Sequence, residues 1–313
     1  MSTNKRTLGS QVKGSVLPAV LKRVILCGLF GILISSIQNL RTLGISVSLP
    51  FLGGLIPTLI IGFLFVARTN TAYERFGEGR KSWGNLIDAG QNLARHIWAA
   101  VREHEPHHRS EKLAVMRLVV AFPLAAKSYL RQEPVNTELT ELMSTERYLE
   151  LKQVANPPLQ IAFWIEEYLQ EQYQHKCITN YQLSVMHKLL DTMTESLGAC
   201  DRIIKTPMPL AQVISMRTLL LVYCLSLAFQ LVDYFRLFTG FIVAFLSFIV
   251  LGLEEINSEI ENPFGYDYND LPLDASCDMM LENIQDLMSN EPSLMNRQFT
   301  AFNGNQEPQF VEK

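Results

Sequence analysis

Few residues of this chain are spaced to do chemistry, and none is spaced to do catalysis. The densest group of ligand-type side chains is Glu103-His104-Glu105-Pro106-His107-His108. Imidazoles and carboxylates so close together suggest a metal site, but a proline among polar residues between two helical patterns reads better as an interhelical loop. No histidine or acidic residue falls into a nucleophile–base or H-E-x-x-H pattern, which argues against an enzyme. The five cysteines (Cys27, Cys177, Cys200, Cys224, Cys277) are odd in number, widely spaced and contain no CxxC pair. They read as buried thiols, not as a disulfide framework or a zinc site. Arg217 is a signal of another kind, a lone charge inside a long apolar run. At membrane depth it must snorkel to the surface, pair or face water.

The elements that position these residues are apolar blocks separated by polar, amphipathic ones. Charged residues are 19% of the 313, below the roughly 25% of soluble domains. With 27 basic and 31 acidic side chains the net charge is −4, so electrostatics makes no case for nucleic acid. The basic segment Met1–Lys13 precedes an apolar run too long for a signal peptide, so that run is read as a retained helix. The run, Val16 to Leu40, is nearly uncharged after Lys22 and Arg23 and has the roughly 20 residues a bilayer needs. A second block, Leu43 to Ala67, has no charge and is interrupted by Pro50, Gly53, Gly54 and Pro57. Only Arg41 and Thr42 separate the two, which predicts a tight hairpin. Basic residues crowd both of its ends (Lys5, Arg6, Lys13; Arg68, Arg75, Arg80, Lys81), so both ends are expected on the cytoplasmic side.

Helical periodicity continues from Thr69 to about Arg102, then over Glu111–Arg131, Ile161–Gln174 and Asn180–Ile204, with a polar loop expected at Gln132–Glu146. Pro207 and Pro209 precede a third apolar block, Gln212–Val232, and a fourth, Leu237–Leu253, follows the turn Asp233–Arg236. The expected fold is thus an all-α integral membrane protein of about four transmembrane helices plus a cytosolic helical region. Its segments are 1–15, 16–67 (two spans), 68–211 (cytosolic), 212–253 (two spans), 254–288 (loop and helix) and 289–313 (a mobile tail). Within the second block, Leu55, Leu59, Phe63 and Ala67 recur at i, i+4 and form one stripe, which either lines a pore or packs on neighbouring helices.

Three stretches resemble the bestrophin family, especially its bacterial and plant branches. They are the second block and its exit, IIGFLFVARTNTAYERFGEGRKSWGNL (Ile60–Leu86), then LGACDRIIKTPMP (Leu197–Pro209), and GLEEINSEIENPFGYDYNDLPLD (Gly252–Asp274) with its N-P-F-G turn. With the order of apolar blocks, the resemblance spans roughly Val16 to Asp286.

The resemblance implies a homo-oligomer, a pentamer with one axial pore, in which the second membrane helix forms an apolar neck and cytosolic helices surround a vestibule. Carried over residue by residue, the neck is Leu59, Phe63 and Ala67. Ala67 is smaller than the family's usual residue, and Val66 is its substitute if the helix rotates slightly. Arg68 and Asn70 fall at the pore mouth, where a ring of Arg would concentrate anions unless Arg68 is only a snorkelling anchor. The implied function is passage of small monovalent anions (chloride, bicarbonate), with a monovalent-cation channel or a non-conducting scaffold as alternatives. A secondary transporter is disfavoured, because only one block is Pro/Gly-interrupted and no internal repeat is visible. Animal bestrophins bind Ca²⁺ in a clasp built on the acidic loop. The matching positions here are Glu259, Asn262, Asp267 and Asp270, but Tyr266, Tyr268 and Asn269 break the acidic run. Ca²⁺ is therefore not favoured, no cofactor is required, and these residues are expected to cap helices and order the turn. The expected location is a bacterial inner membrane or a thylakoid membrane, with both termini cytoplasmic or stromal.

Overall fold

The computed structural model describes residues 17–39, 54–104 and 106–289. The expected N-terminal segment, the Arg41-Thr42 connection, the first part of the second apolar block, Glu105 and the expected tail beyond Ser289 lie outside the described residues. Nine α-helices are described: α1 (Leu17–Asn39), α2 (Leu55–Ala100), α3 (Pro106–Leu130), α4 (Thr145–Leu151), α5 (Pro157–Gln174), α6 (Asn180–Lys205), α7 (Leu210–Phe235), α8 (Thr239–Ile260) and α9 (Leu273–Ser289). The described residues contain no strand.

The chain divides into two compact units. One contains the described residues up to Trp83 together with Gly198–Pro272, so the residues after Ala67 in α2 stay with the apolar helices for another four turns. Its core is α1, α7 and α8, with Val20, Cys27, Leu220, Cys224, Val232 and Val243 fully buried. The outside is as apolar as the inside: Leu29, Leu33, Ile214, Val222, Phe241 and Phe245 are all more than half exposed. Helices apolar on every face need a solvent that is itself apolar, or a partner. Small residues let α1 and α8 approach closely, since a Cβ on Gly31 would lie 2.8 Å from the Gly240 Cα. The turn between α7 and α8 is pinned to α1, where Ser35 Oγ donates to the Arg236 carbonyl at 2.7 Å and Gln38 Nε2 to Asp233 Oδ1 at 2.8 Å.

The other unit holds Gly84–Leu197 and α9, with α3 at its centre packed by α5 and α9. Three described stretches are long and apolar enough to cross a membrane: Pro18–Asn39, His107–Leu130 and Leu210–Ile260. They are not equivalent. His107–Leu130 is 78% buried by its own chain, against 39% for each of the others, so α3 is apolar because protein surrounds it.

Several expected boundaries move, each for a local reason. Helix α3 begins at Pro106, not Glu111, because proline at the first helical position lacks only an N–H that has no partner there. His107 and His108 therefore lie on a helix, where a loop was expected. The expected loop Gln132–Glu146 contains a 3-10 turn, Thr137–Glu141, capped by Asn136, and the start of α4, capped by Ser144. Helix α5 starts four residues early, with the Asn156 side chain accepting from Leu159 N ahead of Pro157 and Pro158. Helix α8 runs past Leu253 to Ile260, which places Glu254, Asn257 and Glu259 on a helix and not in the acidic loop.

Helix α9 docks on α3 through charge. Asp274 Oδ2 accepts from Arg131 Nη2 at 2.9 Å and Asp274 Oδ1 from Lys127 Nζ at 2.8 Å. The Arg131 hydrogen bond, then Lys127, holds the Asp274 carboxyl down at about 2. A depressed folded-state pKa stabilises the fold above the unfolded value of about 4 and loses that contribution as pH falls towards 2. The Asp274 side chain is 57% exposed, so water screens the pair and the contribution is at most about 1 kcal/mol. Asp274→Asn is expected to lower the melting temperature slightly at pH 7 and not at all near pH 2. Melting curves at both values check this, and an equal shift at both would remove the charge argument.

Candidate functional site

The helix that carries the expected neck has two different faces. Ile61 and Phe65 pack against the apolar core, and Arg68 and Ala72 are buried. On the other side Leu59 is 61% exposed, Phe63 74% and Val66 58%, and Asn70 is exposed as well. At about 100° per residue these four positions form one stripe. Ala67 sits at its edge and is exposed too, so after Phe63 the stripe runs on through both Val66 and Ala67. The side chain of Leu55 lies outside the described residues.

Arg68 does not share that stripe. Five residues past Phe63, it points about 140° away. Its guanidinium is 2% accessible and donates to Glu254 Oε1 at 2.7 Å, with Glu261 Oε2 3.8 Å from its other nitrogen. The same Glu254 oxygen accepts from Arg217 Nε at 3.3 Å, and Arg217 Nη2 donates to Ser258 Oγ at 2.7 Å. Two arginines and two glutamates thus form a cluster without net charge, joining α2, α7 and α8. Its central carboxylate, Glu254, is 1% accessible. Beside it Asn257 Nδ2 donates to Thr69 Oγ1 at 2.8 Å. The pore-mouth expectation for Arg68 is corrected by this geometry, because a buried, paired guanidinium offers no open positive field to a passing ion. Of the alternatives for Arg217, the ion pair is the one formed.

The acidic loop is closed on itself. Asp270 Oδ2 accepts from Asp267 N at 2.7 Å, Asn269 Nδ2 donates to Glu259 Oε2 at 2.9 Å, Asn262 N to the Glu259 carbonyl at 3.4 Å, and Leu271 N to the Pro263 carbonyl at 2.9 Å. Phe264 is buried, 1% exposed. One carboxylate oxygen of Asp270 and one of Glu259 are engaged in ordering the turn. Among the described residues, the set of three metal-capable side chains whose donor atoms converge is elsewhere, at His107, His108 and Glu111.

Arg75 and Gly79 tie this loop to α2. Arg75 donates to the carbonyls of Ile203 (2.5 Å), Thr206 (2.9 Å) and Glu261 (3.5 Å), where α6 and α8 end. A cation at two helix C-termini satisfies carbonyls that have no partner within their helices. A Cβ on Gly79 would meet Pro263 Cγ at 2.9 Å, so α2 and the N-P-F-G turn require a glycine there.

The helix, the R-x-N exit and the N-P-F-G loop are thus one packed assembly. The family model for Bacterial/Fungal Bestrophin protein matches residues 2–286. The chain belongs to the bestrophin family. It is 51% identical to a voltage-dependent anion channel-forming protein of Nostoc sp., over 91% of this chain and 92% of that one. It is 30% identical to the voltage-dependent anion channel-forming protein YneE of Escherichia coli K12, over 84% and 85%. A crystal structure of a bacterial bestrophin homolog from Klebsiella pneumoniae superposes with a TM-score of 0.78 at 25% identity, covering 87% of this chain and 99% of that one.

In this bestrophin, the signature after the second apolar block is largely architectural, since Arg68, Arg75 and Gly79 each hold a neighbouring element. Sequence reasoning missed Glu254, the acceptor for both arginines. Its signal was an acidic residue directly after a 17-residue apolar block, which suggests a partner charge in another such block. The cysteines stand in no disulfide and all are buried. Burial pushes the Cys200 and Cys277 thiols up to about 12, so neither supplies a thiolate for chemistry.

Proposed function

We propose that this bestrophin is one subunit of a homo-oligomeric anion channel, a pentamer whose axis is lined by the Leu59–Phe63–Val66–Asn70 face of α2, with Ala67 at its edge. Four membrane helices per chain are too few to enclose a pore, so copies must share one. The observation that carries the reading is the division of α2: one face is buried in the subunit, while the other presents large apolar side chains that are more than half exposed. A ring of such side chains gates by dewetting, because an ion passing it sheds water without polar replacement. Anion passage follows the relatives' naming as voltage-dependent anion channel-forming proteins, and chloride and bicarbonate are the small monovalent anions the family resemblance implies. The protein is a channel and not an enzyme in this reading. It spans the membrane four times with both termini on the cytoplasmic side.

The neutralised Arg68 favours keeping a second reading, a monovalent-cation channel of the same fold. A planar bilayer recording in asymmetric KCl separates the two by the sign of the reversal potential. A reversal potential at the chloride equilibrium value supports the anion channel, one at the potassium value replaces it, and electrically silent oligomer leaves only a scaffold. A monomer by mass measurement in detergent that still conducts overturns the shared pore.

Calcium sensitivity is a separate expected outcome. Because the Asp267–Asp270 turn is closed by its own hydrogen bonds, current should be the same with and without micromolar Ca²⁺, and Asp267→Ala should not alter that. A current switched on by Ca²⁺ and lost in Asp267→Ala would restore the clasp.

A further inference from the structure

The segment set aside as a polar loop is where the ligand atoms converge. Pro106 starts α3, so His107 and Glu111 are four residues apart on one helical face and His108 is three before Glu111. Side chains on a helix lean towards its N-terminus, which carries the Glu111 carboxylate towards the two imidazoles. One donor atom from each of the three residues lies within 4.8 Å of the others. The His107 and His108 rings stand 4.4 Å apart, and a third imidazole, His175, has its ring 5.9 Å from that of His108.

The surroundings suit a cation better than the local count of basic residues suggests. Arg109 and Lys112, two cations on the same helix, are both held by Glu103 Oε1 at 3.1 Å. Lys112 also donates to the Val101 carbonyl at 2.9 Å. Their charge is taken up by Glu103, and Glu111 forms no ion pair with a described residue. His108 is buried and its Nδ1 accepts from His104 N at 3.3 Å, a long bond. A metal at that nitrogen would replace it, and the exposed His104 can turn its N–H to water.

We propose that His107, His108 and Glu111 form a binding site for a borderline transition-metal ion, with zinc the natural occupant. Two imidazoles and one carboxylate are a zinc-type donor set that leaves a fourth position for water, and they do not suit Ca²⁺, which takes oxygen ligands. The site lies within the unit that contains α3, and its existence does not depend on ion conduction.

The test uses full-length, tag-free protein stripped of metal with a chelator. Co²⁺ is titrated by its visible ligand-field absorption, and Zn²⁺ by competition with a chromogenic chelator. One metal per chain is expected, and the wild-type melting temperature should rise with Zn²⁺. His107 and Glu111 are exposed, so His107→Ala and Glu111→Gln should fold normally and weaken Zn²⁺ binding by about tenfold or more. His96→Gln, outside the cluster, should bind as wild type. The absence of saturable binding, or affinity unchanged in both cluster variants, overturns the proposal.

Discussion

Glu254→Ala is expected to be the most damaging single substitution among the apolar helices, costing about 3–5 kcal/mol. Glu254 Oε1 is the shared acceptor of Arg68 and Arg217, at 2.7 and 3.3 Å. Removing it leaves the Arg68 guanidinium, 2% accessible, with only a carboxylate oxygen 3.8 Å away. A buried charge without its partner is far more costly than no charge at all. The double substitution Arg68→Met with Glu254→Leu should therefore recover most of the loss, because two apolar side chains of similar size can replace a buried pair at little cost. Arg217 is more accessible and keeps Ser258, so Arg217→Ala should cost less than Glu254→Ala. Unfolding followed in mild detergent, with the oligomer fraction by size exclusion, measures all four proteins. If Glu254→Ala melts with wild type, or the double variant is worse than either single one, the cluster is not the latch described.

That cluster also marks where sequence reasoning stops. The apolar blocks, their order and the N-P-F-G loop were legible because hydrophobicity and glycine–proline punctuation are local properties. The partner of Arg68 was not, since Glu254 is 186 residues away and no spacing rule reaches that far. Proximity to the expected neck suggested an open pore mouth for Arg68, whereas helical rotation turns it to the other face. The orientation of α2 was hidden for a different reason. Ile60 to Val66 is apolar on all sides, so periodicity cannot say which side chains meet protein and which do not. The early starts of α3 and α5 were written in the sequence as Pro106 and as Asn156-Pro157, capping signals that apolar periodicity overlooks. The loop expected over Glu103–His108 holds for Glu103 and His104. Extending it to His107 and His108 followed from the same oversight, and it hid the one convergence of imidazoles among the described residues.

Phe63→Ala is expected to raise single-channel conductance and weaken gating, and to do so more than Leu59→Ala. Both side chains are mostly exposed in the subunit, at 74% and 61%. Truncating either removes bulk from a mostly exposed face of the subunit. In a ring of identical subunits every copy loses that bulk at the same height, so the neck widens and wets more easily. Phe63 removes the larger volume. The cost to folding should fall well below the roughly 3–5 kcal/mol of a Phe→Ala change in a packed core. Leu64→Ala is the control. It lies about 100° from Phe63, is 39% exposed and borders a cavity of about 260 Å³ shared with Arg68 and Met216, so truncating it should cost little packing and leave the pore unopened. Val66 and Ala67 then decide the rotation of the helix. If the stripe continues through Val66, Val66→Ala should add to the effect of Phe63→Ala, and Ala67→Val should leave conductance nearly unchanged. Single-channel currents from the five variants reconstituted in one lipid mixture give the comparison directly. Conductance that rises in Leu64→Ala but not in Phe63→Ala would put the lining on the other face of α2 and remove the observation on which the channel axis rests.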